Sequence, residues 1–404
     1  MSSHRDHMAV EWIGFLVAVT ILLVVSLKDL SLALLLGSVI LGIATIGTTA
    51  TLQSFARTVA SADVVLLALA MGLFPILGSL LHETGALDDL IENLRVGRRL
   101  FLSLSAALIG LLPVPGGALL SAPLVDGDAA TLSPERRFAI NIWFRHVLIF
   151  IYPIGPTLLV PAKIAGVPVY AVIPYLLPFL VLLIALGYLF LLRDVDDEMT
   201  YAREADSGKL VKPLLLILIP PAIHLSLTAL TPIEPTEIII FFAVLASVVL
   251  AIVWGGLDIR KVARVTRAAK PWKFFFIIIG IYLFIYVFTE AGMDARISGL
   301  DVPLIVMCMG VAFFLAFVTG RTQVAASVVF PTYLSSAGLF VMPYSIFSIT
   351  YLSIFLGHLL SPVHPCIPLS LEYFKTSIGA AFRTMGIPTA IMLCVAVVLF
   401  VLFT

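Results

Sequence analysis

The chain has 404 residues, 61% of them hydrophobic and only 12% charged, with a mean hydropathy of +1.13. Soluble domains carry about 25% charged residues, so the composition excludes a water-soluble globular protein and a disordered chain. The 24 basic residues cancel 24 acidic ones, leaving no net field to attract a polyanion and no case for a nucleic-acid partner.

What remains is an all-α polytopic membrane protein. A crossing helix needs about 20 mainly apolar residues. In chain order, the first such runs fall at 8–27, 30–50 and 63–82. The first has no small-residue cleavage site before Lys28-Asp29 and is expected to be retained. The next stretch, 101–124, is interrupted by Pro113-Val114-Pro115-Gly116-Gly117. Each arm of about 12 residues reaches about 18 Å as a helix, too short to cross. Broken backbone at membrane depth survives only where it is buried in protein or lines a wet cavity, so a re-entrant helical hairpin is expected here. Runs at 137–156 and 168–192 follow, then the polar connector 194–209, whose acidic spacing fits no calcium loop. Runs at 210–230, 236–256 and 272–290 come next. A second interrupted stretch, 302–338, breaks at Thr319-Gly320-Arg321-Thr322-Gln323 and is expected to form another hairpin, ahead of the last runs at 343–362 and 384–404.

Arg260, Lys261, Arg264, Arg267, Lys270 and Lys273 make 257–273 the richest basic loop, which the positive-inside rule places in the cytoplasm. Threading ten crossings from there puts Arg95, Arg98, Arg99, Arg136 and Arg137 on the same side. Both termini then lie outside an inner (plasma) membrane. Cys308, Cys366 and Cys394 sit in apolar runs without paired spacing, so the cysteines indicate neither a disulfide framework nor a zinc motif.

The two halves match in order. Phe55-Ala56-Arg57 recurs as Val262-Ala263-Arg264, and His82-Glu83-Thr84-Gly85 as Thr289-Glu290-Ala291-Gly292, both at an offset of 207. Pro123 corresponds to Pro331 at 208, and His146, Pro153, Pro156 and Lys163 to His358, Pro365, Pro368 and Lys375 at 212. The chain therefore reads as two repeats, 1–205 and 206–404, each of five crossings and one hairpin. Five is odd, so the second copy is expected to thread the bilayer upside down, the architecture of secondary transporters.

Paired hairpins, each followed by a helix broken at a proline pair, resemble the ion transporter superfamily, which includes gluconate, citrate, dicarboxylate/sodium and arsenite permeases. The strings Leu112-Pro113-Val114-Pro115-Gly116-Gly117 and Ser361-Pro362-Val363-His364-Pro365-Cys366-Ile367-Pro368 are most similar to the permeases of domain-of-unknown-function family 401. The resemblance implies an anion carrier working by alternating access. The Ser-Asn-Thr tips that hold sodium and carboxylate in the dicarboxylate branch are absent here.

Four backbone breaks are expected to converge: Pro113–Gly117, Tyr152–Pro156, Gly320–Gln323 and His364–Pro368. At each, unpaired N–H groups suit an anion and unpaired carbonyls a cation. The expected substrate contacts are Pro115, Gly116, Gly117, Ser121, Gly155, Arg321, Thr322, Gln323, Ser327, Pro365 and Cys366. Arg321 is the sole full charge at a hairpin tip; it can clamp a carboxylate or phosphate with two parallel hydrogen bonds, or pair with a fixed acid or snorkel outward. His146, His358 and His364 stand at or before the breaks and can carry a coupling proton, or can bond neighbouring helices. Arg145 and Glu372 are weaker candidates. His224, the pair Glu83/Glu290 and the pair Lys163/Lys375 are assigned to structure.

The function read from these residues is a secondary active transporter of a small organic anion coupled to H⁺, ahead of Na⁺. The alternatives are a cation/proton antiporter and an intramembrane enzyme; the sequence holds no His-Glu-x-x-His, no Gly-x-Ser-x-Gly and no phosphate-binding loop. No enzyme activity and no cofactor beyond the coupling ion are expected. The partners are the anion and membrane lipid, with a homodimer left open.

Overall fold

A computed structural model describes residues 2–112, 117–129, 131–199, 201, 204–300 and 302–403, with side chains for all of these but 2–9 and 128. Every regular element among them is helical. The first ten are α1 (Ser2–Ser26), α2 (Leu30–Thr45), α3 (Gly47–Ala60), α4 (Ala62–Glu83), α5 (Ala86–Glu92), α6 (Arg98–Gly110), α7 (Gly117–Asp128), α8 (Pro134–Val147), α9 (Pro156–Ile164) and α10 (Val169–Gly187), which a π-helical turn extends to Leu192. After the connector come α11 (Ser207–Leu230), α12 (Glu237–Trp254), α13 (Ile259–Ala269), α14 (Pro271–Glu290) and α15 (Met293–Ser298). A π-helical turn at Val306–Val311 leads into α16 (Ala312–Thr319), then α17 (Thr322–Ala337), α18 (Tyr344–Leu360), α19 (Cys366–Phe374) and α20 (Ile378–Phe403).

Local chemistry sets many of these boundaries. Asp29, Asp206 and Asp258 cap α2, α11 and α13 by accepting main-chain N–H groups. Gly85 and Gly292, at φ 71° and 63°, make the same left-handed turn before α5 and α15, a conformation that costs a side-chain-bearing residue about 1 kcal/mol or more.

Among the described residues, six helices are long and apolar enough to cross a membrane: α4, α10 with its extension, α11, α12, α14 and α20. The segment Pro134–Ile151 with Pro156–Ile164, bent by 44°, makes a seventh. The other three expected crossings are α1, with its apolar part at Val10–Ser26, and the shorter apolar helices Leu30–Thr45 and Tyr344–Leu360, the longer of these two reaching about 25 Å. The run expected over 30–50 stops at Thr45 because Gly47 takes φ 82° and redirects the chain into α3. The chain is an integral membrane protein. Leu218, Phe242, Val253 and Val398 are exposed along its helices, as lipid-facing side chains are.

The helices pack in two groups. In the first, α2 packs on α14 and α12 on α4, α3 on α14 and α13 on α4, α1 on α2 and α11 on α12, with α4 and α14 in contact. In the second, α6 packs on α8 and α16 on α18, α9 on α17 and α19 on α7, α8 on α20 and α18 on α10. Helix α6 also packs on α7, and α16 on α17. Contacts between the groups are fewer: α17 meets α14, α16 meets α1, and the short helix α15 joins α14 to α17, while α5 packs on α4 and α11 within the first group. The Lys163–Glu237 ion pair at 2.6 Å ties α9 to α12 across this boundary.

Candidate functional site

Where the two groups face each other, the protein encloses a cavity of about 400 Å³. Met71 of α4 and Lys270, Lys273 and Ile277 form its wall on the first group. The opposite wall is built from the backbone breaks of the second.

Proline and glycine make those breaks. Helix α8 passes through one 3₁₀ turn at Ile149–Ile151, and the chain restarts as α9 with Gly155 at the N-cap and Pro156 in the first turn, where a missing N–H costs nothing. Helix α18 stops at Leu360 and α19 begins at Cys366. Between α16 and α17, Gly320 adopts φ 64° and Arg321 is extended. A Cβ at Gly320 would sit 2.9 Å from the His364 amide nitrogen, so this close approach needs glycine.

Hydrogen bonds then tie one break to another. Gln323 Nε2 donates to the Pro156 carbonyl at 3.0 Å, and the Thr322 hydroxyl to the Thr157 carbonyl at 3.3 Å. Around α7, Arg145 Nη1 donates to the Gly117 carbonyl at 2.8 Å and to Ser121 Oγ at 3.4 Å. Asn141 Nδ2 reaches both the Ala118 carbonyl and Ser370 Oγ. The start of α7 is thus anchored to α8, and α8 to α19.

Among the described residues, the wall carries Arg145, Arg321, Lys270 and Lys273 and no aspartate or glutamate. Lys273 is paired with Asp29 at 2.6 Å. Among the described residues neither Arg145, which is 4% exposed, nor Arg321 makes an ion pair with an acid. Two guanidiniums without acidic partners thus stand in a cavity otherwise mostly apolar, a setting in which an anion would offset their charge.

His146, His358 and His364 meet beside them. Their ring centroids lie 5.7, 4.8 and 4.1 Å apart, and all three side chains are buried. Their Nδ1 atoms face main-chain carbonyls: His146 that of Ile142 at 2.6 Å, His358 that of Gly320 at 2.8 Å and His364 that of His358 at 3.3 Å. Because a carbonyl only accepts, each Nδ1 donates.

Of the residues expected to touch substrate, Gly117, Gly155, Arg321, Thr322, Gln323, Pro365 and Cys366 line this cavity. Ser121 stands behind Arg145, and Ser327 donates to the Val324 carbonyl within α17, away from the wall. Pro115 and Gly116 lie outside the described residues. Thr322 and Gln323 spend their hydrogen bonds on joining the two breaks. Arg145 is the residue that sequence reasoning undervalued. Its signal was a full charge inside the apolar run 137–156, which a position near a helix end masks. His224 bonds Tyr170 at 3.0 Å, Glu290 accepts from Ser54 at 2.7 Å, and Lys163 pairs with Glu237.

The family described as protein of unknown function (DUF401) matches residues 10–403. Comparison with curated proteins gives no match. Among solved structures, the crystal structure of the YdaH transporter of Alcanivorax borkumensis is similar at a TM-score of 0.60, over 96% of this chain and 97% of that chain, with 14% sequence identity. At that identity the likeness is one of fold.

Proposed function

The chain belongs to the DUF401 family, and we propose that it is a secondary active transporter moving a small organic anion by alternating access, with H⁺ rather than Na⁺ as the coupling ion. The observation that carries this reading is the cavity between the two helix groups, with Arg145 and Arg321 on its wall and no carboxylate among its described residues. A cation/proton antiporter would place acidic ligands there. The cavity offers imidazole nitrogens, which bind H⁺, whereas Na⁺ prefers oxygen.

The exchanged helix contacts support a division into two repeats, 1–205 and 206–404, with α6–α7 and α16–α17 as the re-entrant hairpins and the second copy inverted. That is the arrangement of the ion transporter superfamily. In this reading the basic helix α13 lies on the cytoplasmic side of the inner membrane with both termini outside. The cavity, which reaches the exposed Lys270, then faces the cytoplasm.

Screening organic anions for thermal stabilisation of the purified protein tests the assignment, since a ligand of the folded state raises the melting temperature. At least one carboxylate or phosphate compound should stabilise the wild type and lose its effect in Arg321→Ala. Equal stabilisation of both proteins by every anion would contradict the clamp.

A further inference from the structure

The histidine cluster has a second property besides its place in the cavity. One ring nitrogen of each of His146, His358 and His364 lies within 4.8 Å of the other two. With each Nδ1 donating to a carbonyl, Nε2 is the nitrogen that each ring has to offer, and it carries a lone pair. A metal-ligating imidazole is held in this way: the hydrogen bond of its second nitrogen fixes tautomer and orientation and strengthens the donor. The three rings also come from both halves of the chain, so the folded molecule, and no local motif, creates the site. Cys366 lines the same cavity wall as the three histidines and is a fourth donor at hand.

We propose that His146, His358 and His364 bind a borderline-soft divalent transition-metal ion of the Zn²⁺ class, completed by Cys366 or by an anion entering from the cavity. The donor chemistry selects the ion. Imidazole nitrogens and a thiol suit Zn²⁺, Co²⁺ or Ni²⁺, whereas Na⁺, Mg²⁺ and Ca²⁺ take oxygen ligands, and the wall has no carboxylate. Zinc accepts four-coordinate N and S sites and keeps a position open where three protein ligands bind it. Arg145 and Arg321 repel a cation, and an anion between the metal and the guanidiniums offsets that repulsion. Metal and anion therefore strengthen each other's binding reciprocally. The metal site stands on the imidazole geometry alone; only this reinforcement rests on the reading of the cavity as an anion site.

The test uses the full-length purified protein, stripped with a chelator and titrated with Zn²⁺ by calorimetry and with Co²⁺ by absorption. One equivalent per chain is expected, with the strong visible bands of four-coordinate Co²⁺. A sulfur-to-cobalt band that disappears in Cys366→Ser would assign the fourth ligand to the thiol; its absence from the wild type assigns that position to the anion, and both outcomes uphold the three-histidine site. His146→Gln, His358→Gln and His364→Gln should each weaken Zn²⁺ binding at least a hundredfold, while His224→Gln leaves it unchanged. Should a glutamine variant fail to fold, zinc X-ray absorption on the wild type counts the imidazoles, and fewer than two overturns the proposal. So does the lack of saturable Zn²⁺ binding by the wild type, or binding undiminished in all three folded variants. If Zn²⁺ binds at the histidines while no anion stabilises the protein or is taken up, the transport reading falls and the metal site stands. Anion uptake without Zn²⁺ binding overturns the metal site and leaves the transport reading in place.

Discussion

Arg145 and Arg321 differ in how their surroundings hold them. Arg145 is fixed by the Gly117 carbonyl and Ser121 and holds the start of α7 in place. Arg321 makes no side-chain hydrogen bond among the described residues and is free to grip a ligand. Charge-assisted hydrogen bonds contribute about 1.5–3 kcal/mol each, so Arg321→Ala should weaken anion binding tenfold or more with little change in the melting temperature of the ligand-free protein. Arg145→Ala should lower both, and calorimetry together with thermal unfolding separates the two cases. Gly320→Ala should destabilise the fold by about 1–3 kcal/mol through the left-handed conformation and the contact with His364, measurable as a lower melting temperature. Gly320 and the proline breaks were legible in the sequence because a left-handed turn or a missing N–H is a property of the residue itself. The partners of Arg145 were not legible, because they come from α7, 24 and 28 residues away, and hydropathy carries no information about pairing.

Among the elements, long apolar helices could be read directly, and α4, α10, α11, α12, α14 and α20 fall where expected. Short amphipathic pieces could not. Helix α3 buries Thr51, Ser54 and Thr58 and exposes Leu52, Phe55 and Val59, a pattern that a window of mean hydropathy averages away. At its end, the junction of α2 with α14 is closed by the Lys273–Asp29 ion pair. Burial raises the Asp29 carboxyl, but hydrogen bonds from Lys273, Ser31 and the Leu32 amide outweigh it and hold the group at about 2, down from 3.8. A carboxyl depressed in the folded state stabilises the fold above its unfolded value and ceases to do so as pH falls through the folded one. Wild-type stability should therefore drop between pH 4 and pH 2 more steeply than that of Asp29→Asn, as read by thermal unfolding across that range.

At the scale of the molecule, the exchanged contacts have exceptions, among them α15 on α17 and α5 on α11, neither of which has a comparable counterpart. Helix α17 packs on α14, whereas α7 has no comparable packing on α4. If the halves are inverted copies, the opposite state exchanges these roles: α7 closes on α4 and α17 leaves α14. The ion pairs exchange as well. Lys163 now holds Glu237 and Thr236 at 2.6 and 3.2 Å. The counterpart of Lys163 is Lys375, and that of Thr236 is Asp29, so Lys375 should approach Asp29 in the opposite state. Glu237→Gln should then favour that state and Lys375→Gln disfavour it. Cross-linking of Met71→Cys in α4 to Ala118→Cys in α7, read by peptide mass spectrometry to distinguish native Cys366, should rise in the first background and fall in the second. Equal cross-linking in both would contradict the exchange. The spaced matches that motivate the proposed repeat, such as His146/His358, were legible in the sequence; that α17 and not α7 packs against the first group was not, because hydropathy carries no information about pairing.

Concentrative uptake into proteoliposomes tests the central claim most directly. With an anion chosen by thermal stabilisation and an inward proton gradient imposed, the wild-type protein should accumulate that anion above the external concentration, collapse of the gradient should abolish accumulation, and Arg321→Ala should remove it. Accumulation unaffected by both pH and sodium gradients, or undiminished in Arg321→Ala, would contradict the account.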